Sequence, residues 1–378
     1  MSTIVDLKLY LLSHGIVIDA TAERVWRELY DGPMTLNEYA STSGICIYTE
    51  GGVYMNVPYI EAFARDSQAR FTFDDAVGSF AVEYVGNTTL VSVVPVPRYH
   101  KQMYRDGEHE FPYTNLGVTH TDRCRISPIE GCSCACKFCD MPIDFKYRKK
   151  PLDELVRVLH LAKDDALAPA RHVLISGGTP SSGDEVWIDD VYARVASESP
   201  MPVDVMMPPR KDMRYPAWLR SIGVNMVSIN LEVYDWSRAR QITPNKARKF
   251  SRDFYFNYIE QAVKAFGVGF VQSLMVFGGA IEEAASTLSG IEELARRGCI
   301  PVLSPFRPDP KTPLGKKPPA SFDEMRRVYF EALEICERSG TGVKPGPRCI
   351  PCQHNTVAFP DGSPFYVPLT GDLTTRLI

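Results

Sequence analysis

Gly131-Cys132-Ser133-Cys134-Ala135-Cys136-Lys137-Phe138-Cys139-Asp140 sets three thiols at the spacing Cys-x-x-x-Cys-x-x-Cys. Three thiolates this close can hold three irons of a cubane [4Fe–4S] cluster and leave the fourth iron without a protein ligand. An iron with an open position binds and reduces a small molecule, which an all-cysteine electron carrier does poorly. Phe138 would shield one side of such a cluster from water. Zinc more often takes two separated pairs of ligands than one compact loop. A disulfide pair or a scatter of buried thiols is the plainer alternative. Cys134 falls outside the spacing and reads as a spectator; as a fourth ligand it would close the open iron.

The residues around this loop repeat a pattern of strand, loop and helix. Strands are expected over 123–128, 172–176, 203–207, 226–230, 271–275 and 302–305, most of them short apolar or β-branched runs. Amphipathic helices are expected between them, over 152–163, 255–266 and 281–297, the first with Leu152, Leu155, Val156 and Leu159 on one face. Six such units in series argue for a parallel sheet with right-handed crossovers. The fold class is therefore α/β, a partial (β/α)6 TIM-like barrel spanning 119–320. In barrels, functional groups gather on the loops at the C-terminal ends of the strands, and the cysteine loop directly follows the first strand. Residues 1–118 read as an α+β cap with a helix near 22–29 and strands near 52–57, 80–85 and 89–94. No chemistry is legible in the cap, and a lid or dimerisation module is the expectation. Residues 321–378 form a Cys-containing extension, opened by a capping box at Ser321-Phe-Asp-Glu324 and a helix to about 339.

The bulk composition is that of an ordinary globular enzyme, with 378 residues, 44% hydrophobic and 23% charged. The net charge of −4, with 42 basic residues spread along the chain, gives no reason to expect nucleic acid. No apolar run approaches the roughly 20 residues of a membrane span, and the first residues lack the pattern of a secretion signal. Ten cysteines in that context suit a reducing cytoplasm, with thiols kept for metal.

The triad spacing with Phe138 resembles the signature of the radical S-adenosylmethionine (SAM) superfamily. The resemblance implies a [4Fe–4S] cluster on Cys132, Cys136 and Cys139 whose open iron chelates the amino and carboxylate groups of SAM. One electron then cleaves a C–S bond to give methionine and a 5′-deoxyadenosyl radical, and the electron comes from a donor such as flavodoxin or ferredoxin. Gly177-Gly178-Thr179-Pro180 ends the second strand and is similar to the family's GGEP-like motif for the SAM amino group, with Thr179 where an acid is usual. Asn230-Leu-Glu232-Val ends the fourth strand and resembles a signature of the biotin synthase-like branch, which makes Asn230 and Glu232 SAM or substrate contacts. Arg238 or Arg240 would then pair with the SAM carboxylate. Gly278-Gly279 and the segment Ser304-Pro-Phe-Arg307 through Thr312-Pro-Leu314 fit the same branch more loosely. Arg307 suits an anionic substrate group, or is a surface residue in a proline-stiffened loop. Lys246, Arg248, Lys249 and Arg252 form a basic run that reads as a solvated face or as an attractor of a phosphorylated substrate.

Cys349-x-x-Cys352-x-His354, with Cys336 upstream, is open to three readings: a second Fe–S cluster, zinc, or unligated thiols in a turn. The expectation is a radical SAM enzyme acting on a small molecule, with sulfur insertion from a second cluster as the first choice. Rearrangement or lyase chemistry in metabolite or cofactor biosynthesis is the alternative. A non-catalytic electron carrier or iron sensor and a zinc hydrolase are rivals of other classes. No catalytic side chain is identified from the sequence.

Overall fold

The computed structural model of the chain describes residues 3–29, 44–144 and 146–360. The end of the expected C-terminal extension, beyond 360, lies outside the described residues. The central element is a seven-stranded sheet. Six of its strands run parallel and in chain order, Arg123–Ile126, His172–Ile175, Val203–Met206, Met226–Ser228, Val271–Phe277 and Ile300–Pro305. All six strands read from the sequence are present. Every residue of the first two is buried, the pattern of strands covered on both faces. The sheet stays open, so the architecture is a mixed α/β partial barrel.

The seventh strand, Gly117–His120, was missed because the expected domain border falls across it. It pairs antiparallel with Arg123–Ile126 around a two-residue turn at Thr121 and Asp122. Thr121 sits there at φ 57, a left-handed conformation that glycine usually supplies.

Helices cover the sheet as the apolar spacing requires. Leu152–Lys163 buries Leu155, Val156, Leu159 and Ala162, with Leu152 packed at its edge. Arg252–Phe266 starts one turn earlier than its apolar face suggests, because Ser251 caps it by accepting from the Phe254 N–H at 3.1 Å. Phe322–Arg338 is capped by Ser321. The Glu324 carboxylate accepts in return from the backbone of Ser321, and from that of Gly279 as well.

The N-terminal residues build a second, six-stranded sheet. Its strands lie in the order Val17–Ile18, Arg70–Asp74, Ser79–Tyr84, Asn87–Val93, Ile45–Thr49 and Tyr54–Val57. Trp26, Ile47, Met55, Phe71 and Phe80 fill its own core. The two sheets and the C-terminal segment interlock. Leu9 and Leu12 of helix Ile4–His14 share an apolar cluster with Val302, Met325 and Val328. The buried Lys8 ammonium donates to the Gln353 and Ala358 carbonyls at 2.8 and 2.6 Å. The Val357 N–H donates to the Leu303 carbonyl at 2.8 Å, so the tail rides on the last strand. Among the described residues, no helix is long and apolar enough to cross a membrane.

Candidate active site

The cysteine loop leaves the first strand at its C-terminal end and is tied down by backbone bonds. The Lys137 N–H donates to the Ile242 carbonyl at 2.9 Å, and the Ser133 N–H to the Thr179 carbonyl at 3.0 Å. Gly177-Gly178 is packed so tightly against it that side chains are excluded. A Cβ on Gly178 would lie 1.7 Å from the Gly131 carbonyl oxygen, and one on Gly177 would lie 2.3 Å from Ser127 Oγ. Gly177 also needs its φ of 107, which L-residues avoid. Thr179 holds the same loop, its N–H donating to Cys132 Sγ at 3.2 Å and its side chain reaching Cys134.

Cys132, Cys136 and Cys139 each lie within electrostatic reach of the other two. The Cys132 thiol is brought down to about 6, first because the Cys134 thiol donates to it, then through the N–H groups of Thr179 and Cys134. Burial pushes Cys139 up to about 12, and Cys136 higher. Cys134 is driven upward as the hydrogen-bond partner that keeps its proton. Phe138 packs with Val233, Ile242 and Phe306 beside the loop.

Glu232 follows the fourth strand at φ 66, a strained conformation for a side-chain-bearing residue. Its N–H donates to the Leu274 carbonyl at 2.9 Å, which fixes the turn. The carboxylate meets Lys246 Nζ at 2.5 Å, with both side chains largely withdrawn from solvent. Burial opposes the Lys246 charge, but Glu232 and the nearby thiols outweigh it and hold the ammonium protonated far above its usual range. Lys246 is thus no part of a solvated face. Glu232 Oε2 and Tyr255 Oη are buried without a hydrogen-bond partner among the described residues. Lys246 and Tyr255 line a cavity of about 190 Å³ with Ser133, Cys134, Thr179 and Pro180.

The remaining expected contacts are engaged elsewhere. Asn230 Oδ1 accepts from Ser228 Oγ and from the Leu274 N–H, at 2.8 and 3.2 Å. Arg238 donates to the carbonyls of Ile281 and Ala280 at 2.8 and 3.0 Å, bracing the loop after the fifth strand. Arg240 is exposed. Arg307 is largely withdrawn from solvent and ion-paired with Glu61 of the N-terminal segment, so it is not the surface residue that its proline-rich loop allowed.

A second cavity, about 250 Å³, runs inside the barrel. Cys139, Phe138 and Met141 line one part of it, and Arg123 and Cys352 another. Leu274, Val276, Val302 and Phe306 supply apolar wall, and Leu12, Asn56 and Pro58 come from the N-terminal segment. Residues of the N-terminal cap therefore line this cavity. Arg123 Nη1 donates to Cys352 Sγ at 2.8 Å, and His172 Nε2 lies 3.3 Å from Cys349 Sγ. The Cys352 thiol is lowered to about 6, chiefly because Cys349 donates to it, with Arg123 adding to the effect. Burial and the same bond drive Cys349 upward. Cys336 does not join them; it packs with Ala332, Ile335 and Val343, and burial alone raises its thiol. The missed His172 had one signal, a polar residue opening an otherwise apolar strand, while Arg123 shares its strand with Arg125 and had none.

Residues 126–288 match the family profile described as the Radical SAM superfamily. A search of curated protein sequences finds no match. Among solved structures, methylornithine synthase aligns at 17% identity and a TM-score of 0.43, over 59% of this chain and 70% of its own. A radical SAM methyltransferase from Sphaerobacter thermophilus aligns at 16% identity and 0.46, over 75% and 79%. The FeFe-hydrogenase maturase HydG from Carboxydothermus hydrogenoformans aligns at 12% and 0.43, over 61% and 55%. Likenesses this distant say nothing of substrate or reaction, and none of the three is a biotin synthase. The matched segment carries the cysteine triad, the glycine cradle and the strand-four acid. The matched segment is thus similar to the radical SAM superfamily, whose enzymes use a [4Fe–4S] cluster and S-adenosylmethionine. The donor set fits both groups: three thiols in one anchored loop, a glycine pair where backbone must come close, and a buried carboxylate oxygen with no partner among the described residues.

Proposed function

We propose that this enzyme removes hydrogen from a small, mainly apolar molecule held in the barrel cavity, and that the Cys349–Cys352 end acts on the substrate radical so formed. The observation that carries the reading is a cavity of about 250 Å³ that touches both Cys139 and Cys352. When bound, the cluster and SAM supply a 5′-deoxyadenosyl radical, and the chain's residues supply position and enclosure. Cys132, Cys136 and Cys139 hold the cluster. Gly177 and Gly178 let backbone approach the methionyl end of SAM. Glu232 offers acceptor oxygens, and Lys246 offers a positive charge to an anionic group. Asn230 and Arg238 support the loops that carry these groups, and Arg240 is left as an outer contact. The walls of Leu274, Val276, Val302 and Phe306 keep water from the reacting carbon. Arg307, neutralised by Glu61, shapes the cavity wall and accepts an anionic substrate group only when Glu61 releases it.

Sulfur insertion is the reaction this arrangement favours, with a second Fe–S cluster on Cys349 and Cys352 facing the substrate space. The hydrogen bond from Cys349, helped by Arg123, lowers the Cys352 thiol towards the ionised form that a metal ligand needs. A rearrangement or lyase step needs no such pair, and is the second reading. After anaerobic reconstitution, iron and sulfide are counted in the wild type and in Cys349→Ala/Cys352→Ala, alongside 5′-deoxyadenosine release. The proposal expects the variant to lose the iron of a second cluster and still cleave SAM. Equal iron in both proteins removes the second cluster and leaves the rearrangement or lyase reading.

A further inference from the structure

Three buried side chains meet where the N-terminal sheet, the edge of the barrel and the C-terminal helix touch. They are Cys46 of strand Ile45–Thr49, His120 of strand Gly117–His120 and His354 of helix Ile350–His354. A ligand atom of each lies within 4.8 Å of those of the other two, and none is more than 5% exposed. We propose that these three residues bind one divalent transition-metal ion of the zinc class, a site separate from both cysteine groups of the catalytic cavity.

Each neutral imidazole offers one ring-nitrogen lone pair, and the cysteine offers its sulfur. His120 Nε2 lies 2.9 Å from Cys46 Sγ, and the two imidazole rings meet edge to face at 4.4 Å. His354 Nδ1 is buried with no hydrogen-bond partner among the described residues. Leaving such a nitrogen dry and unpaired is costly, and a metal ion removes the cost. One sulfur and two imidazoles suit zinc, cobalt or nickel, not the oxygen-seeking magnesium or calcium. Thr121 Oγ1 lies 3.5 Å from His120 Nδ1 and 3.4 Å from His354 Nε2, and its residue is the strained φ 57 position of the hairpin. The hairpin turn thus sets the Thr121 hydroxyl within reach of both imidazoles, where it supports two ligands. On binding, Cys46 gives its thiol proton to solvent and forms the metal–sulfur bond. The histidines bind as neutral imidazoles, and a non-protein ligand such as water completes four-coordination. The ion would staple the cap to the barrel and to the tail. None of this rests on the radical SAM chemistry.

The test titrates the full-length, anaerobically purified protein with Co²⁺ and counts bound metal by elemental analysis. The expected result is one tightly held Co²⁺ per chain, displaced by zinc, with a thiolate-to-cobalt charge-transfer band and strong visible bands of four-coordinate cobalt. These bands persist in Cys132→Ala/Cys136→Ala/Cys139→Ala and in Cys349→Ala/Cys352→Ala. The charge-transfer band disappears in Cys46→Ser, and Thr121→Val weakens binding about tenfold. If Cys46→Ser fails to fold by circular dichroism, the wild type and the two multiple variants still decide. Folded wild type that takes up no such ion, or bands that vanish with either cysteine group, overturns the proposal.

Discussion

Lys246 and Glu232 hold each other at 2.5 Å where little water reaches. Removing one partner of such a pair strands the other charge, which costs about 3–5 kcal/mol. Glu232→Gln is therefore expected to lose stability of that order in urea denaturation. Glu232→Leu/Lys246→Met is expected to lose much less than the two single changes added together, and additive losses would refute the coupling. Gly178→Ala is expected to cost about 3 kcal/mol, the upper end for overpacking, because the new Cβ falls on the Gly131 carbonyl. The same variant should reconstitute with less iron, since the cysteine loop must move. Gly178 and Glu232 were legible from the sequence because each ends a strand, where a barrel puts its chemistry. Lys246 was not, because four basic residues in one short run look alike until the helix Pro244–Lys249 is seated and turns one of them inward.

The elements of the barrel were read with little error because apolar runs of four to seven residues between turn signals have few other uses. The errors fell on polar groups inside elements. Arg123 and His172 open buried strands and face thiols more than a hundred residues away in the chain, a pairing no local pattern contains. His100 is another such group. It accepts from the Thr119 N–H at 3.1 Å and steadies the edge strand that the sequence did not disclose. Burial lowers its pKa from 6.5 to about 4. Between those values the unfolded chain takes up a proton that the folded protein refuses, so stability is lost as the pH falls from 6.5 towards 4. The loss attributable to this imidazole is about 3 kcal/mol. His100→Gln, which keeps an acceptor for Thr119, should flatten that part of the profile. An unchanged slope over the same window would show that His100 titrates normally.

Across the whole molecule, the cap, barrel and tail act as one enclosure. Leu12, Asn56 and Pro58 face the same cavity as Cys139 and Cys352, and Lys8 ties the first helix to the tail. The sequence offered a lid or dimerisation module for the cap but not the residues that line the cavity, because these are ordinary side chains placed there by long-range packing. Truncating the chain before residue 44 is expected to abolish substrate turnover and to leave the cysteine triad able to bind iron. The proposed chemistry requires an iron that the three cysteines leave without a protein ligand. Electron paramagnetic resonance of the reduced, reconstituted enzyme, recorded with and without SAM, reads that iron directly. A spectrum that changes when SAM is added is the predicted result, and it should persist in Cys134→Ala. A spectrum indifferent to SAM would mean a fully ligated cluster, and would contradict the assignment of Cys132, Cys136 and Cys139 as its only protein ligands.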